Sequence, residues 1–384
     1  MSKSQIATGG IADDAVSTAK VLNDSRIVTP LIINGDMAVA QRGTSATGLG
    51  ASAGYNTCDR WKLEVEGSPS ARFTQTQSTD VPTGQGFTTS LKMDCTTAAG
   101  SPDADDALAI TYRIEAQDLQ LLRYGTSSAK KITLSFWVNA TKTGTHAIWI
   151  YQNDDSRSQA QTYTVNSTNT WEKKTVVFAA DTTGVIDNNN GEGFRINWWL
   201  TAGSNFTSGT LATTWQSHTA ANNAVGQVNN ADSTDNNWYI TGVQMEIGEF
   251  DSDTIPPFPF ESYESNLKKC RRYLQYVCGT SNIGELTGGF RATGSAQCGM
   301  QFTTPMRAAP SVSLVGLRLH DLNDGDNLDV TSIGVVNGSS SNGTWLNMNN
   351  SGTGTVAGVC ILYGYNASPT SNVQSYGIKV DAEL

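Results

Sequence analysis

The sequence predicts a mainly β protein: a jelly-roll β-sandwich body, a short linker helix and a smaller C-terminal β-sandwich or barrel. Three observations point there. Charged residues make up only 16% of the 384 residues, while glycine alone supplies 37, a composition that favours turn-rich β architecture over helices. Apolar residues recur at a spacing of two along short runs separated by Gly, Asn and Thr loops. Such runs follow one another over residues 31–249 without the strand–helix alternation of a parallel sheet, which leaves the antiparallel sandwich as the natural closure.

Residues 1–30 differ from the rest. Ile11, Ala15, Ala19 and Leu22 flank or follow Asp13 and Asp14, acidic residues that suit a helix start. A segment this short cannot form a core alone, so the expectation is an anchor that docks on another surface. The body, residues 31–250, then runs through "ITLSFWVNA" (Ile132–Ala140), "HAIWIYQN" (His146–Asn153), "QTYTVN" (Gln161–Asn166), "WEKKTVVFAA" (Trp171–Ala180), "FRINWWLTA" (Phe194–Ala202) and "WYITGVQMEIG" (Trp238–Gly248). "RWKLEVEG", "ARFTQTQ" and "TSLKMDC" are strand candidates upstream, "EAQDLQLLRYG" reads as one short helix, and the polar insertion Thr201–Asn237 as a rim loop.

Residues 251–279 form the predicted linker. Pro256, Pro257 and Pro259 hold an extended geometry that no central strand accepts. After them, "ESYESNLKKCRRYLQYV" (Glu261–Val277) carries Tyr263, Leu267, Cys270, Leu274 and Val277 at spacings of four, three, four and three. That stripe predicts a helix of about two heptads, packed against the sandwich or against copies of itself. Glu261 and Glu264 at its start and Lys268, Lys269, Arg271 and Arg272 further on complement the helix dipole. Residues 280–384 then read as a β tip domain, with strands in "GFRATGS", "CGMQFT", "SVSLVGLRL", "TSIGVVN", "GVCILYGYN" and "YGIKVDAEL".

The net charge of −10 argues against a nucleic-acid binder, which needs a broad basic face. No 18-residue apolar run exists to insert in a membrane, and the N-terminus lacks a secretory apolar core, so the chain is expected to be made in a cytoplasm. Six cysteines stand without paired or zinc-like spacing and are expected to be free, buried thiols.

Several stretches resemble structural proteins of tailed bacteriophages, above all tail fibres and receptor-binding proteins. They are "IINGDMAVAQRGTS" (Ile32–Ser45) with "DRW" (Asp59–Trp61), "SFWV" (Ser135–Val138), "NNWYITGVQMEIG" (Asn236–Gly248), "LKKCRRYLQY" (Leu267–Tyr276) and "FTTPMRAAPSV" (Phe302–Val312), with a leader-like "GGIADDAVSTAKV" at the N-terminus. The resemblance implies a homotrimeric virion fibre. Its N-terminus would join a phage tail or baseplate protein, and its distal β domains would contact a bacterial surface glycan or protein. The chain lacks the long repetitive shaft of full fibres, which leaves a head or tail decoration protein as one alternative. A carbohydrate-binding module of a secreted enzyme is another.

None of these stretches carries catalytic residues. No nucleophile elbow, P-loop, dinucleotide-binding glycine pattern or HExxH occurs. His146, His218 and His320 lie far apart, and the clustered Asp103, Asp105 and Asp106, like Asp154 and Asp155, read as solvated loop carboxylates. The oxygen-rich loops Asp187–Gly193 and Asp321–Asp329 depart from the EF-hand pattern, and turn chemistry accounts for them. The expectation is a non-enzymatic protein without metal or cofactor. Aromatics are the better binding candidates: strand neighbours point to opposite faces, so one of Trp198 and Trp199 faces outward, as does one of Phe136 and Trp137. Trp199 in the body and Trp345, Tyr363 and Tyr365 in the tip are the candidate glycan-contact residues.

Overall fold

The structure, a computed structural model, describes residues 30–278, 286–323, 325–352, 358–364 and 377–384. The anchor candidates Ile11, Ala15, Ala19 and Leu22, and Tyr365 of the tip, lie outside the described residues.

The body is built from β1 (Ser45–Leu49), β2 (Gly54–Tyr55), β3 (Trp61–Glu66), β4 (Arg72–Ser78), β5 (Ser90–Thr97), β6 (Ala107–Glu115), β7 (Ile132–Ala140), β8 (Gly144–Gln152), β9 (Arg157–Val165), β10 (Glu172–Phe178), β11 (Glu192–Ala202), β12 (Gln216–Ser217) and β13 (Asn237–Ile247). They form two facing antiparallel sheets, ordered β1-β4-β5-β13-β7-β10 and β12-β9-β8-β11-β6-β3-β2, a jelly-roll sandwich. Period-two alternation sorts each strand. In β6, Leu108, Ile110, Tyr112 and Ile114 enter the core; in β11, Phe194, Ile196, Trp198 and Leu200 do. Trp198 lies at the centre, its ring 5.5 Å from Trp61 and 6.0 Å from Phe136. Truncating such a fully buried Trp to Ala typically costs about 3–5 kcal/mol. The sequence "EAQDLQLL" closes one end as a 3₁₀ turn, Ala116–Leu122, rather than an α-helix, with Ala116, Leu119 and Leu122 buried.

Two helices join the body: α1 (Ser204–Thr207) in the long insertion and α2 (Tyr263–Cys270) after the prolines. The second corrects the predicted Glu261–Val277 helix. It lasts eight residues, begins where the Ser262 side chain accepts the Ser265 N–H, and gives way to a turn. Leu274 and Val277 then belong to a strand, β14 (Leu274–Val277), paired with the last strand of the chain. The heptad stripe is therefore not a helix face. Tyr263 is 59% exposed, Leu267 is half-buried, and the helix buries Cys270 together with a polar residue, Asn266. "YLQYV" also suits a strand, with aromatic and β-branched residues, and a tertiary partner decides the choice. Two of the basic residues are paired, Lys269 with Glu261 just before the helix and Arg272 with Glu115 of β6.

The C-terminal part continues with β15 (Leu286–Ala292), β16 (Ser295–Gln301), β17 (Ser311–Asp321), β18 (Asn327–Ser339), β19 (Gly343–Asn350), β20 (Val359–Gly364) and β21 (Gly377–Asp381). Because β17 pairs with both β18 and β20, the six strands β17-β18-β19-β16-β15-β20 close into a barrel, while β21 and β14 extend from the first half of β17. Phe290, Met300, Leu319, Leu346, Met348 and Leu362 fill its interior. All six cysteines are buried as thiols. No described helix is long and apolar enough to cross a membrane.

Body and barrel meet through buried charge. Asn34 and Arg60 adopt left-handed backbone conformations. The Asn34 carbonyl accepts the Trp61 indole N–H at 2.9 Å, and its side-chain amide binds the carbonyls of Val39 and Asp59. The Arg60 guanidinium lies 3.4 Å over the Tyr273 ring and pairs with Glu383 beyond β21. Arg42 reaches Glu383 at 3.2 Å, and Arg272 holds Glu115 with two 2.7 Å hydrogen bonds. Gln275 of β14 donates to Thr304 and accepts from Thr303. Residues from four of the phage-like stretches thus converge on one junction.

Candidate functional site: an aromatic groove on the second sheet

The outward face of the second sheet is not a uniform solvated surface. Alternation along β8 sends Ala147, Trp149 and Tyr151 out, and along β11 it sends Arg195, Asn197 and Trp199 out. Cross-strand register lines these up with β6 and β3. One row runs Glu64, Ala109, Trp199; the next Lys62, Thr111, Asn197, Trp149; the third Arg113, Arg195, Tyr151. Ala107 and Ala109 are short side chains between Glu64 and Glu66 on one flank and Trp199 on the other, so the face is hollowed there. The hollow is a groove of about 280 Å³, near the lower end of the roughly 300–1,000 Å³ of ligand clefts.

The insertion after β11 forms its far rim. Gly203 allows the chain to turn tightly, since a Cβ there would lie 1.9 Å from the Asp103 carbonyl oxygen. From that point α1 places Phe206 against Trp199, ring centroids 5.6 Å apart. The returning loop brings His218 to 5.4 Å from Trp149 and 5.2 Å from Tyr151, and Asn223 into the lining. The result is a cluster of aromatic rings, Tyr151, Trp149, Trp199 and Phe206, set beside the polar Glu64, Arg195 and Asn197.

The electrostatics are mixed and mostly satisfied. Arg113 bridges Glu64 at 2.9 Å and Glu192 at 3.0 Å, and Arg195 binds Glu192 at 3.0 Å. Burial, and then the Arg195 charge, hold the His218 imidazole below its usual range, so the ring is neutral at neutral pH. Asn197 accepts the Thr111 hydroxyl at 2.8 Å. Three buried groups in the lining have no hydrogen-bond partner: the indole N–H groups of Trp149 and Trp199 and the side-chain oxygen of Asn223. Buried polar atoms are normally paired, and an orphan calls for a local explanation.

Trp199, singled out from sequence, lies in this groove but only 3% exposed, beneath Phe206. Trp198 is its core-facing neighbour, and the pair Phe136 and Trp137 divides the same way, with Phe136 in the core. Trp345 and Tyr363 are on the barrel, away from the groove. Trp345 stands on β19 rather than in a loop, and the Tyr363 hydroxyl donates to Asn327 at 2.8 Å. Trp149, Tyr151, Arg195 and Asn197 went unmarked in the sequence, although alternation against Ile148, Ile150, Ile196 and Trp198 places them outward. Phe206, His218 and Asn223 had no such signal, because only the return of the insertion brings them here.

The acidic loops serve the backbone. Asp154 and Asp155 accept the N–H groups of Asp187 and Val185 at 3.0 and 2.6 Å, and Asp106 accepts that of Ser68 at 2.8 Å. Among the described residues no group of three His, Cys, Asp or Glu side chains converges as a metal site.

No family model matches the chain, and no curated protein matches it in sequence. Among solved structures it is similar to the enzymatically active domain of bacteriophage CBA120 tailspike protein 4, with 15% identity and a TM-score of 0.27 over 49% of this chain; it spans only 19% of that one. It is also similar to the family 11 carbohydrate-binding module of the cellulosomal cellulase Lic26A-Cel5E of Clostridium thermocellum, with 12% identity, a TM-score of 0.27, and 54% and 96% of the two chains covered. At these values the likeness assigns neither a family nor an activity.

Proposed function

We propose that this chain binds a saccharide of the bacterial cell surface in the groove of the second sheet, without cleaving it, and that it does so as a trimeric receptor-binding fibre of a tailed phage. One observation carries the binding reading. The groove gathers the rings of Tyr151, Trp149, Trp199 and Phe206 beside the polar side chains of Glu64, Asn197 and Asn223. Sugars present the complement: C–H faces that pack on aromatic rings and hydroxyls that both donate and accept. The groove is small, so it accommodates one or two sugar units rather than a long chain. Glu64 enters it as an acceptor already engaged by Lys62 and Arg113, a role in binding rather than in proton transfer. The virion setting rests on the phage-like stretches. Several copies on one particle multiply weak single sites into firm attachment.

The test is calorimetric titration of the purified full chain with capsular and lipopolysaccharide glycans of candidate hosts. Tyr151→Ala, which removes one ring of the cluster while leaving the core intact, is expected to weaken binding about tenfold, near 1.4 kcal/mol; Trp199→Phe should weaken it as well. Unchanged affinity in both variants would remove the groove from the reading. No new reducing ends should appear on prolonged incubation. Light scattering should give three times the chain mass, and a monomer at micromolar concentration would exclude the fibre.

A further inference from the structure

The barrel carries a second surface of another kind. Strands β16, β19 and β18 lie side by side. On their outer face Gln297, Asn347 and Gly334 form one row, and Gly299, Trp345 and Val336 the next. Trp345 stands there 55% exposed. The segments 295–301, 332–336 and 343–349 contain no charged residue, in a chain whose net charge is −10. Their polar groups are amides and hydroxyls held in register by one another. Ser295 and the Gln297 amide donate to the Asn347 side-chain oxygen at 3.1 and 3.4 Å, and the Asn349 amide donates to the Ser332 hydroxyl at 2.9 Å.

The glycines decide what this face is for. A glycine inside a strand weakens it, because the bare backbone is freer when unfolded and packs nothing when folded, so a local reason is expected. Gly343 has one: a Cβ there would lie 2.6 Å from the Met300 carbonyl oxygen. Gly299 and Gly334 have none. A Cβ on either would meet no atom within 4 Å, and neither backbone is in the left-handed region. The fold tolerates a side chain at both positions, yet the face is bare beside Trp345 and Asn347. Bare backbone in a strand admits the close approach of something outside the sheet.

We propose that this face is a second binding surface, for a neutral polysaccharide chain lying along β19. Trp345 stacks on a sugar ring, Asn347 and Asn349 exchange hydrogen bonds with hydroxyls further along, and Gly299 and Gly334 keep the strip flat. A second copy of this chain is the competing occupant, but the strip sets one tryptophan and one half-buried valine among amides, whereas the core of a homo-oligomeric interface is predominantly apolar. The proposal is independent of the groove.

Affinity electrophoresis of the full chain through gels containing mannan, dextran, a mixed-linkage β-glucan or a neutral bacterial O-polysaccharide tests it. The wild-type chain should be retarded by at least one of them. Trp345→Ala should reduce that retardation at least tenfold. Gly299→Val should reduce it too while leaving the melting temperature unchanged or higher, because its side chain enters open space; Gly334→Val provides the same test should Gly299→Val misfold. Retardation that Tyr151→Ala abolishes and Trp345→Ala leaves intact would assign the polysaccharide to the groove and overturn the proposal. No retardation in any gel, or retardation unaffected by the Trp345 and glycine variants, overturns the proposal. So does a loss of oligomer mass in Trp345→Ala, which would make the strip a contact between copies.

Discussion

Among single residues, His146 has the most consequential setting. It is fully buried, stacked on Tyr163 with centroids 5.2 Å apart, and its Nδ1 has no partner. Burial first, and then the Lys174 charge, push the imidazole from 6.5 down to about 4. The unfolded chain therefore takes up the proton first as pH falls. The stability contribution is complete above pH 6.5 and is lost between 6.5 and 4, a full shift equivalent to about 3 kcal/mol. Asp59 acts in the opposite sense: burial raises its carboxyl to about 6 against the pull of Arg42, so its contribution is lost as pH rises towards 6. The test must compare variant with wild type. His146→Gln should flatten the difference between pH 4 and 6.5, measured as urea midpoints across that range; parallel curves for the two proteins would show that the histidine is not responsible.

Among elements, α2 departs most from its sequence. It buries Asn266, which accepts the Asn34 N–H at 3.1 Å and donates to Asp36 at 3.1 Å. Asn266→Leu would improve the apolar pattern and is nevertheless expected to destabilise the protein by about 1–3 kcal/mol, since the buried Asn34 amide loses its acceptor; a more stable variant in chemical denaturation would contradict this. Its sequence conceals the helix end because "RRYLQYV" fits both a helical stripe and a strand. The choice is made by β21, a hundred residues further along the chain, which no local pattern reveals. Where the pattern was unambiguous, as in Ile132–Ala140 of β7, strand and boundaries were legible. β19 was not, because Gly343, Asn347, Asn349 and Asn350 mimic a loop while Leu346 and Met348 supply only two inward positions. The site divides likewise. Its strand-borne half follows from alternation, but the rim depends on a long insertion whose path is set by tertiary contacts such as the Ala224 N–H to the Phe206 carbonyl at 2.9 Å.

For the molecule as a whole, the junction sets the behaviour. Arg60, 1% exposed, has Glu383 as its ion-pair partner. Glu383→Gln is expected to cost about 3–5 kcal/mol, because it strands a buried guanidinium rather than merely deleting a contact; a loss below about 1 kcal/mol would mean that water or Glu115 takes over. The Tyr55 hydroxyl also donates to the Leu384 carbonyl at 3.1 Å, so the residues after β21 are seated on the sandwich. A barrel tied to its neighbour at both its entry strand and its final residues cannot swing as a bead on a string. For a glycan that touches both modules, the second contact is then made from a preset direction rather than found by diffusive search, and the local concentration it experiences is fixed by the fold rather than by the reach of a tether.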